Sequence, residues 1–459
     1  MQAPRSSHGA ASVESPPIER EEQLFEPFTA AFVQGKTPRI GLEAEKFGIH
    51  NDGTPLRYNE AHGVPALFEE LTKRFGWVPE SEVPGGPTLA LTRDGASITL
   101  EPGSQFELSG APHADVHAIV AEVETHKREL AALESARDIR WLGLGFHPFA
   151  HPHDLDWVPK LRYPIMREFL PTRGRYALDM MRRTATVQAN FDFANEREAM
   201  TRLRVALGLS PIVQALFANS AVYENVRHPI ESHRAEVWLD VDNSRAGLLP
   251  FAWKPDASLG DYVRWALAVP MFLVKRDGHV IRNTGQTFGD FMKNGFGGHR
   301  ATMTDWETHL NTLFPDVRLK RTLEVRSADS VPAGYSAALP AFWAGILYDN
   351  DALGAAGEIV LPFGHDAWHA AKSLIPAHGL TARIGGHSLQ DLALRVLDHA
   401  SRGLSRRARK DAKGNDECMY LDPLVALAAS GKTIGDEVLG DWRPDMPDAR
   451  EKLFERAKY

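Results

Sequence analysis

Cysteine is almost absent. The single Cys418 cannot close an intramolecular disulfide and cannot supply a multi-cysteine zinc site. Long apolar runs are missing too, since nothing approaches the ~20 consecutive apolar residues that span a bilayer. The opening MQAPRSSHGAASVESPP is small, polar and Pro-containing, without the apolar stretch of an export signal. We therefore expect a cytoplasmic chain with no membrane partner and a loose tail over residues 1–17. Positive charge is not in excess: 52 Lys and Arg stand against 60 Asp and Glu, a net charge of −8, which removes any global pull toward nucleic acid. The hydrophobic share, 43%, is too high for a disordered chain and ordinary for a globular one.

Complete nucleotide motifs are also lacking. SGKT at Ser430–Thr433 resembles the end of a phosphate loop, but Ala426 stands where its first glycine belongs and the preceding segment reads as helix. GLGFHP at Gly143–Pro148 ends in proline where a dinucleotide fingerprint needs glycine. Any ATP would have to be held by metal and side chains. The histidines of HPFAHPH (His147, His151, His153) are unevenly spaced among prolines, which favours a loop over a zinc site.

What is present is an interleaving of helical and strand patterns. A helical stripe starts at Pro17 with Ile18, Leu24, Phe28 and Phe32. RIGLEAEKFGI reads as a strand, VPALFEELTKRFG as a short amphipathic helix, and TLALT, SITLE and QFELS as a meander with turns at Asp94-Gly95 and Pro102-Gly103. A long helix follows over about residues 113–136, then a strand at IRWLGLGF, a helix and strand in RYALDMMRRTATVQANFDFAN, and an apolar helix in EREAMTRLRVALGLSPIVQALFANS. RLKRTLEVRSAD reads as one more strand, and from Pro340 onward the pattern is mostly helical. Without regular βαβ alternation, the fold class is α+β. We expect one catalytic unit over residues 18–459.

The strands carry an informative polar face. Residues i and i+2 of a strand share a face, which groups Glu43 with Glu45, Ser97 and Thr99 with Glu101, Gln105 with Glu107, Gln188 with Asn190 and Asp192, and Thr322 with Glu324 and Arg326. A solvated sheet face explains each strand taken singly. Glu recurring with few lysines points elsewhere. Gathered carboxylates raise one another's pKa, and a hard divalent cation such as Mg²⁺ cancels their repulsion while taking further ligands from phosphates. The face is thus a candidate Mg²⁺–ATP site. Arg326, and Lys320 if the strand begins that early, would add positive charge for phosphate.

RIGLEAEKFGI, SITLEPGSQFELSGAP, RRTATVQANFDF, TLFPDVRLKRTLEVRSAD and LPAFWAGILYD together resemble the plant-like glutamate–cysteine ligases of the glutamine synthetase and glutamate–cysteine ligase superfamily. The resemblance implies a curved, mainly antiparallel sheet forming a funnel flanked by helices. It implies a monomer or homodimer that uses ATP and Mg²⁺ to join L-glutamate to L-cysteine through γ-glutamyl phosphate. On that resemblance Glu43, Glu45, Glu101, Glu107 and Glu324 are metal ligands, and Gln188, Asn190, Arg234 and Arg245 contact substrate. Arg326 and Lys320 would hold the transferring phosphate. A related ligase with another amine acceptor, or a non-catalytic relative that kept the fold, are the alternatives.

Overall fold

The computed structural model describes residues 15–276 and 278–459. Most of the tail expected over residues 1–17 lies outside the described residues. Pro17 already bridges to Thr302, and the Ile18 N–H donates to the Ala301 carbonyl at 2.8 Å. The helix read from Pro17 is shorter than expected: a 3₁₀ turn Glu21–Phe25 runs into a four-residue helix Glu26–Thr29. Pro27 is the cause, because proline has no N–H for a helix passing through it and is tolerated only in a first turn. Leu24 and Phe28 are buried as the stripe requires.

Alternating residues build one antiparallel sheet that, among the described residues, has nine strands: β1 (Ile40–His50), β2 (Val78–Glu80), β3 (Ala90–Arg93), β4 (Ala96–Leu100), β5 (Phe106–Ser109), β6 (Ile139–Leu142), β7 (Val187–Phe191), β8 (Val317–Leu319) and β9 (Leu323–Val325). Their order is β8-β9-β7-β1-β5-β4-β3-β2. The first half of β1 lies between β7 and β5, and its second half pairs with β6 instead. Asp94 and Gly95, both at positive φ (50° and 89°), make the tight turn from β3 to β4 that this dipeptide favours. The turn from β4 to β5 needs Gly103, because a Cβ there would stand 2.4 Å from the Arg182 carbonyl oxygen.

RLKRTLEVRSAD, expected as a single strand, is the hairpin β8–β9. The Lys320 N–H donates to the Thr322 carbonyl at 2.9 Å across its turn. Only Leu323–Val325 finds a partner on the short β7, so the preceding half folds back onto its own continuation.

Helices pack on the apolar face of the sheet and on one another. They are α1 (Val64–Phe75), α2 (Val116–Arg137), α3 (Tyr163–Phe169), α4 (Ala177–Arg183), α5 (Glu196–Leu216), α6 (Ala338–Leu347), α7 (Asn350–Val360), α8 (Gly364–Lys372) and α9 (Leu389–Arg407), with further short helices between and after them. Leu42, Ala44, Val187, Ala189, Phe191, Leu323 and Val325 are buried on that face, with α6 over β1 and β7 and α5 over β8 and β9. The architecture is α+β, helices on a mainly antiparallel sheet. Among the described residues no helix is long and apolar enough to cross a membrane.

Candidate active site

Strand register carries the polar residues onto one face. Glu43 on β1 is opposite Gln188 on β7 and Ser109 on β5. Glu45 is opposite Glu107 on β5, which is itself opposite Thr99 on β4. Asn190 on β7 is opposite Glu324 on β9, and Glu324 is opposite Arg318 on β8. Directly paired residues share a face, so these groups form a row across six strands. Glu101 stands just past β4, its N–H donating to the Gln105 carbonyl at 3.0 Å. Gln105 does not join the row. Its side chain accepts from the Gly103 N–H and donates to the Met181 and Thr184 carbonyls, which fixes the turn.

Burial and mutual repulsion set the protonation of this row. Glu43 is pushed up to about 7 by burial, then by Glu324 and Glu107, while Lys320 and Asn190 pull it back. Burial, Glu101 and Glu107 raise Glu45 well above the carboxylate range, against Arg234 and the Thr186 N–H, which donates to its Oε2 at 2.9 Å. Glu107 is raised by burial and by Glu101, although the Thr99 hydroxyl donates to it and Glu43 hydrogen-bonds to it. Carboxyl groups pushed toward the protonated form are ready to exchange that proton for a cation. Asn190 Nδ2 donates to Glu43 Oε1 at 2.7 Å, and the Thr322 hydroxyl donates to Asn190 Oδ1 at 3.0 Å, so this end of the row is oriented as well as charged.

Glu324 behaves differently from Glu43, Glu45 and Glu107. Arg318 grips both of its oxygens, Nε to Oε2 and Nη2 to Oε1, each at 2.8 Å. Lys320 Nζ lies 3.2 Å from Oε2, and Arg326 donates to Oε1. Burial alone would raise Glu324, but Arg318, Lys320 and Arg326 hold it well below the usual range. Arg326 also donates to Gln188 Oε1 at 2.7 Å. Sequence reasoning named Lys320 and Arg326 and missed Arg318. The signal was available, because Arg318, Lys320 and Arg326 share parity. It needed the hairpin turn to place Arg318 across from Glu324.

The two remaining arginines stand behind the row. Arg234, on the short helix His233–Val237, donates to the Ser327 and Arg326 carbonyls at 3.1 and 3.0 Å, close enough to Glu45 to counter its rise. Arg245 does not reach the face. It is fully buried, with Nε on Asp242 Oδ2 at 2.7 Å, the Thr312 and Pro270 carbonyls on its other nitrogens, and the Phe272 ring 4.1 Å from its guanidinium. A guanidinium with its N–H groups so engaged braces a loop. His147 is likewise a buried loop anchor, accepting from the Phe149 and Ala150 N–H groups.

Among the described residues no three of His, Cys, Asp and Glu converge on one point. The donor chemistry nevertheless suits a hard cation: all-oxygen, desolvated and, at Glu43, Glu45 and Glu107, pushed toward the protonated form. Pairs such as Glu43–Glu107 and Glu45–Glu101 would contribute ligands, with water and phosphate oxygens completing the shell.

An antiparallel sheet with an enclosed acidic face, bordered by fixed cations and backed by helices, suits an enzyme acting on small charged molecules. Comparison narrows the class. Residues 39–452 match the profile of glutamate-cysteine ligase family 2. The chloroplastic glutamate–cysteine ligase A of Oryza sativa subsp. japonica is 36% identical over 464 residues, covering 98% of this chain and 92% of that protein. The chloroplastic enzyme of Arabidopsis thaliana is 36% identical over 468 residues, covering 99% and 88%. A crystal structure of a Francisella tularensis glutamate–cysteine ligase in complex with AMP has the same fold, with a TM-score of 0.56 at 13% identity over 92% of this chain and 87% of that one. The chain belongs to glutamate-cysteine ligase family 2. It is an enzyme of that type, forming γ-glutamylcysteine from small-molecule substrates. The cytoplasmic address expected from the sequence is contradicted by the plant relatives, whose names call them chloroplastic. A missing apolar run near the start of the sequence does not place a chain in the cytoplasm.

Proposed function

We propose that the acidic face binds ATP with Mg²⁺ beside L-glutamate, and that glutamate is activated as γ-glutamyl phosphate before L-cysteine attacks. The enclosed row of raised carboxyl groups, bordered at Glu324 by Lys320 and Arg326, carries this reading. The AMP bound to the Francisella tularensis relative supports a nucleotide as co-substrate. Glu43, Glu45, Glu101 and Glu107 are the ligands we assign to Mg²⁺, with Glu324 at the edge of the set. Bound Mg²⁺ would supply positive charge that draws phosphate oxygens to the face and offsets charge growing on them. Gln188 and Asn190 orient Arg326 and Glu43 toward substrate. Arg234 backs Glu45, and Arg245 is reassigned from substrate to the loop it braces.

In the first step an oxygen of the glutamate γ-carboxylate bonds to the γ-phosphorus of ATP and ADP leaves. Lys320 and Arg326, held by Glu324, are fixed charges where the transferring group becomes more negative. In the second step the cysteine nitrogen bonds to the acyl carbon. Phosphate departs with the C–O electrons, and the amine gives its proton to a base. We assign this chemistry to residues 18–459 as one catalytic unit, working as a monomer or a homodimer.

An ADP-release assay with glutamate and a panel of amines, with mass detection of γ-glutamylcysteine, tests the reading. Glu43→Gln and Glu324→Gln should each remove most turnover without changing the circular dichroism spectrum. Wild-type turnover in both variants would move the site off this face.

A further inference from the structure

Asp329 closes the RSAD stretch that follows β9, and it is fully buried. Its Oδ2 accepts from the Asn219 N–H at 2.9 Å and from the hydroxyls of Ser220 at 2.6 Å and Ser232 at 2.9 Å. Those two hydroxyls accept in turn from the Arg234 and Ala235 N–H groups, at 3.1 and 2.9 Å. The carboxylate thereby orients the first turn of the short helix that carries Arg234. Its Oδ1 lies 3.8 Å from Arg234 Nη1. Gly145 lets the carboxylate pack tightly, since a Cβ there would stand 2.4 Å from Asp329 Cγ. Burial raises the carboxyl, and Arg234 leads the groups that draw it back.

This arrangement reaches two residues of the acidic face. On one side, Arg234 donates to the Arg326 and Ser327 carbonyls. The Arg326 N–H donates to the Asp316 carbonyl at 3.0 Å, and Lys372 grips both Asp316 carboxylate oxygens at 2.6 Å. The backbone of Arg326 is therefore held at its N–H and at its carbonyl. On the other side, Asp329 bridges to Thr186, whose N–H donates to Glu45 Oε2 and whose hydroxyl donates to the Ala328 carbonyl at 2.6 Å. The Ser330 hydroxyl donates to the Glu45 carbonyl at 2.5 Å.

We infer that Asp329 is a positioning residue for phosphoryl transfer: it locks Arg234, and Arg234 sets where the Arg326 guanidinium meets the transferring group. Charge carries this role. Arg234 is a buried cation, and a buried cation is costly without an anion beside it. After Asp329, the anion that most favours its charge is Glu45. Without the Asp329 carboxylate, Arg234 would turn from the Arg326 and Ser327 carbonyls toward a carboxyl that the cation needs. A neutral side chain of the same shape fills the space and leaves Arg326 loosely placed. The inference rests on Arg326 serving the phosphoryl group.

The test is a double-mutant cycle in the full chain, with Asp329→Asn, Arg326→Met and the pair. Turnover and KM for each substrate are measured by ADP release, ADP binding with Mg²⁺ by calorimetry, and folding by melting curves. Asp329→Asn should lower kcat at least about tenfold, since misplacing a reacting group by about 1 Å can cost about a hundredfold. Each KM and the ADP affinity should stay within about threefold of wild type, because no substrate contact is removed. The pair should match Arg326→Met within about threefold, because both changes take the same guanidinium out of the reaction. Ser220→Ala keeps the carboxylate and removes one relay, so its kcat should fall between wild type and Asp329→Asn. If Asp329→Asn does not fold, Ser220→Ala decides, and a wild-type kcat there overturns the inference. A lower melting temperature with unchanged kcat in folded Asp329→Asn would make Asp329 structural only. Losses that multiply in the pair would mean that it does not act through Arg326. Either result overturns the inference. Wild-type kcat in Arg326→Met alone would instead remove the assignment of Arg326 to the phosphoryl group, and the inference with it.

Discussion

At the scale of single residues, the site is governed by which carboxylates are compensated. Glu324 carries three cations, whereas Glu43, Glu45 and Glu107 carry mostly each other. This contrast predicts opposite sensitivities. Arg318→Met removes a bidentate partner from a buried carboxylate, a change that typically costs about 3–5 kcal/mol. It also frees Glu324 to draw Arg326 and Lys320 out of line. We expect a lower urea midpoint and a kcat at least about tenfold below wild type, with Arg318→Lys recovering part of the stability and less of the kcat. Wild-type kcat in Arg318→Met would mean that Glu324 needs no fork to hold its neighbours. For Glu43 the sign follows from its raised pKa. The group keeps a proton below about 7 in the folded protein and below 4.5 when unconstrained, so the cation-free fold loses stability from this group as pH rises through that window. A bound cation must displace the same proton. Affinity for Mg²⁺ should therefore tighten between pH 6 and 8, by at most about tenfold per unit for each proton released. Calorimetric titration checks it, and a flat profile would place the cation away from Glu43. Such pKa values were only partly legible beforehand: alternation in LEAEK and VQAN put these side chains on one face, but how deeply that face is walled depends on loops with no periodicity.

At the scale of elements, the pieces with strong period were legible and those set by distant partners were not. β1, β4, β5, α2 and α5 fall where alternation or helical spacing placed them. The β8–β9 hairpin was hidden because Leu319, Leu323 and Val325 keep one parity across its turn, with only Arg321 breaking it. Only the shortness of β7 decides that the strand folds back. Helix packing adds a constraint that no single-helix pattern reveals. Where α6 crosses α9, a Cβ on Gly403 would stand 1.9 Å from the Gly345 carbonyl oxygen, and a Cβ on Gly345 2.2 Å from that of Ala400. Backbone cannot yield as a side chain can, so the helices would have to separate along a fully buried seam. Gly403→Ala should therefore destabilise despite alanine's better helix propensity of about 1 kcal/mol. A melting temperature at or above wild type would show that the seam can relax. Because α6 also covers β1 and β7, the same substitution should disturb the row built on those strands.

At the scale of the whole molecule, the fold spends a large antiparallel sheet on one acidic surface, which is a liability until a cation arrives. The net charge of −8 adds to the local repulsion within the row. The protein is thus expected to trade stability for its site in a measurable way. Replacing one crowded carboxyl, as in Glu107→Gln, removes repulsion while an amide oxygen can still accept from Thr99 or Ser109. Without divalent ions at pH 8, the variant should melt above the wild type. Mg²⁺ should invert the order. Binding to the folded form alone contributes RT ln(1 + [L]/Kd), about 2.7 kcal/mol at a hundredfold excess over Kd, and only the wild type has the full ligand set to gain it. The inversion should shrink at pH 6, where Glu43 already holds a proton in place of the cation. Differential scanning calorimetry of both proteins, with EDTA and with Mg²⁺ at the two pH values, supplies the eight curves needed, two proteins by two ions by two pH values. If Mg²⁺ raises both proteins equally, or if Glu107→Gln melts lower in every condition, Glu107 is a structural carboxylate and the cation is held elsewhere.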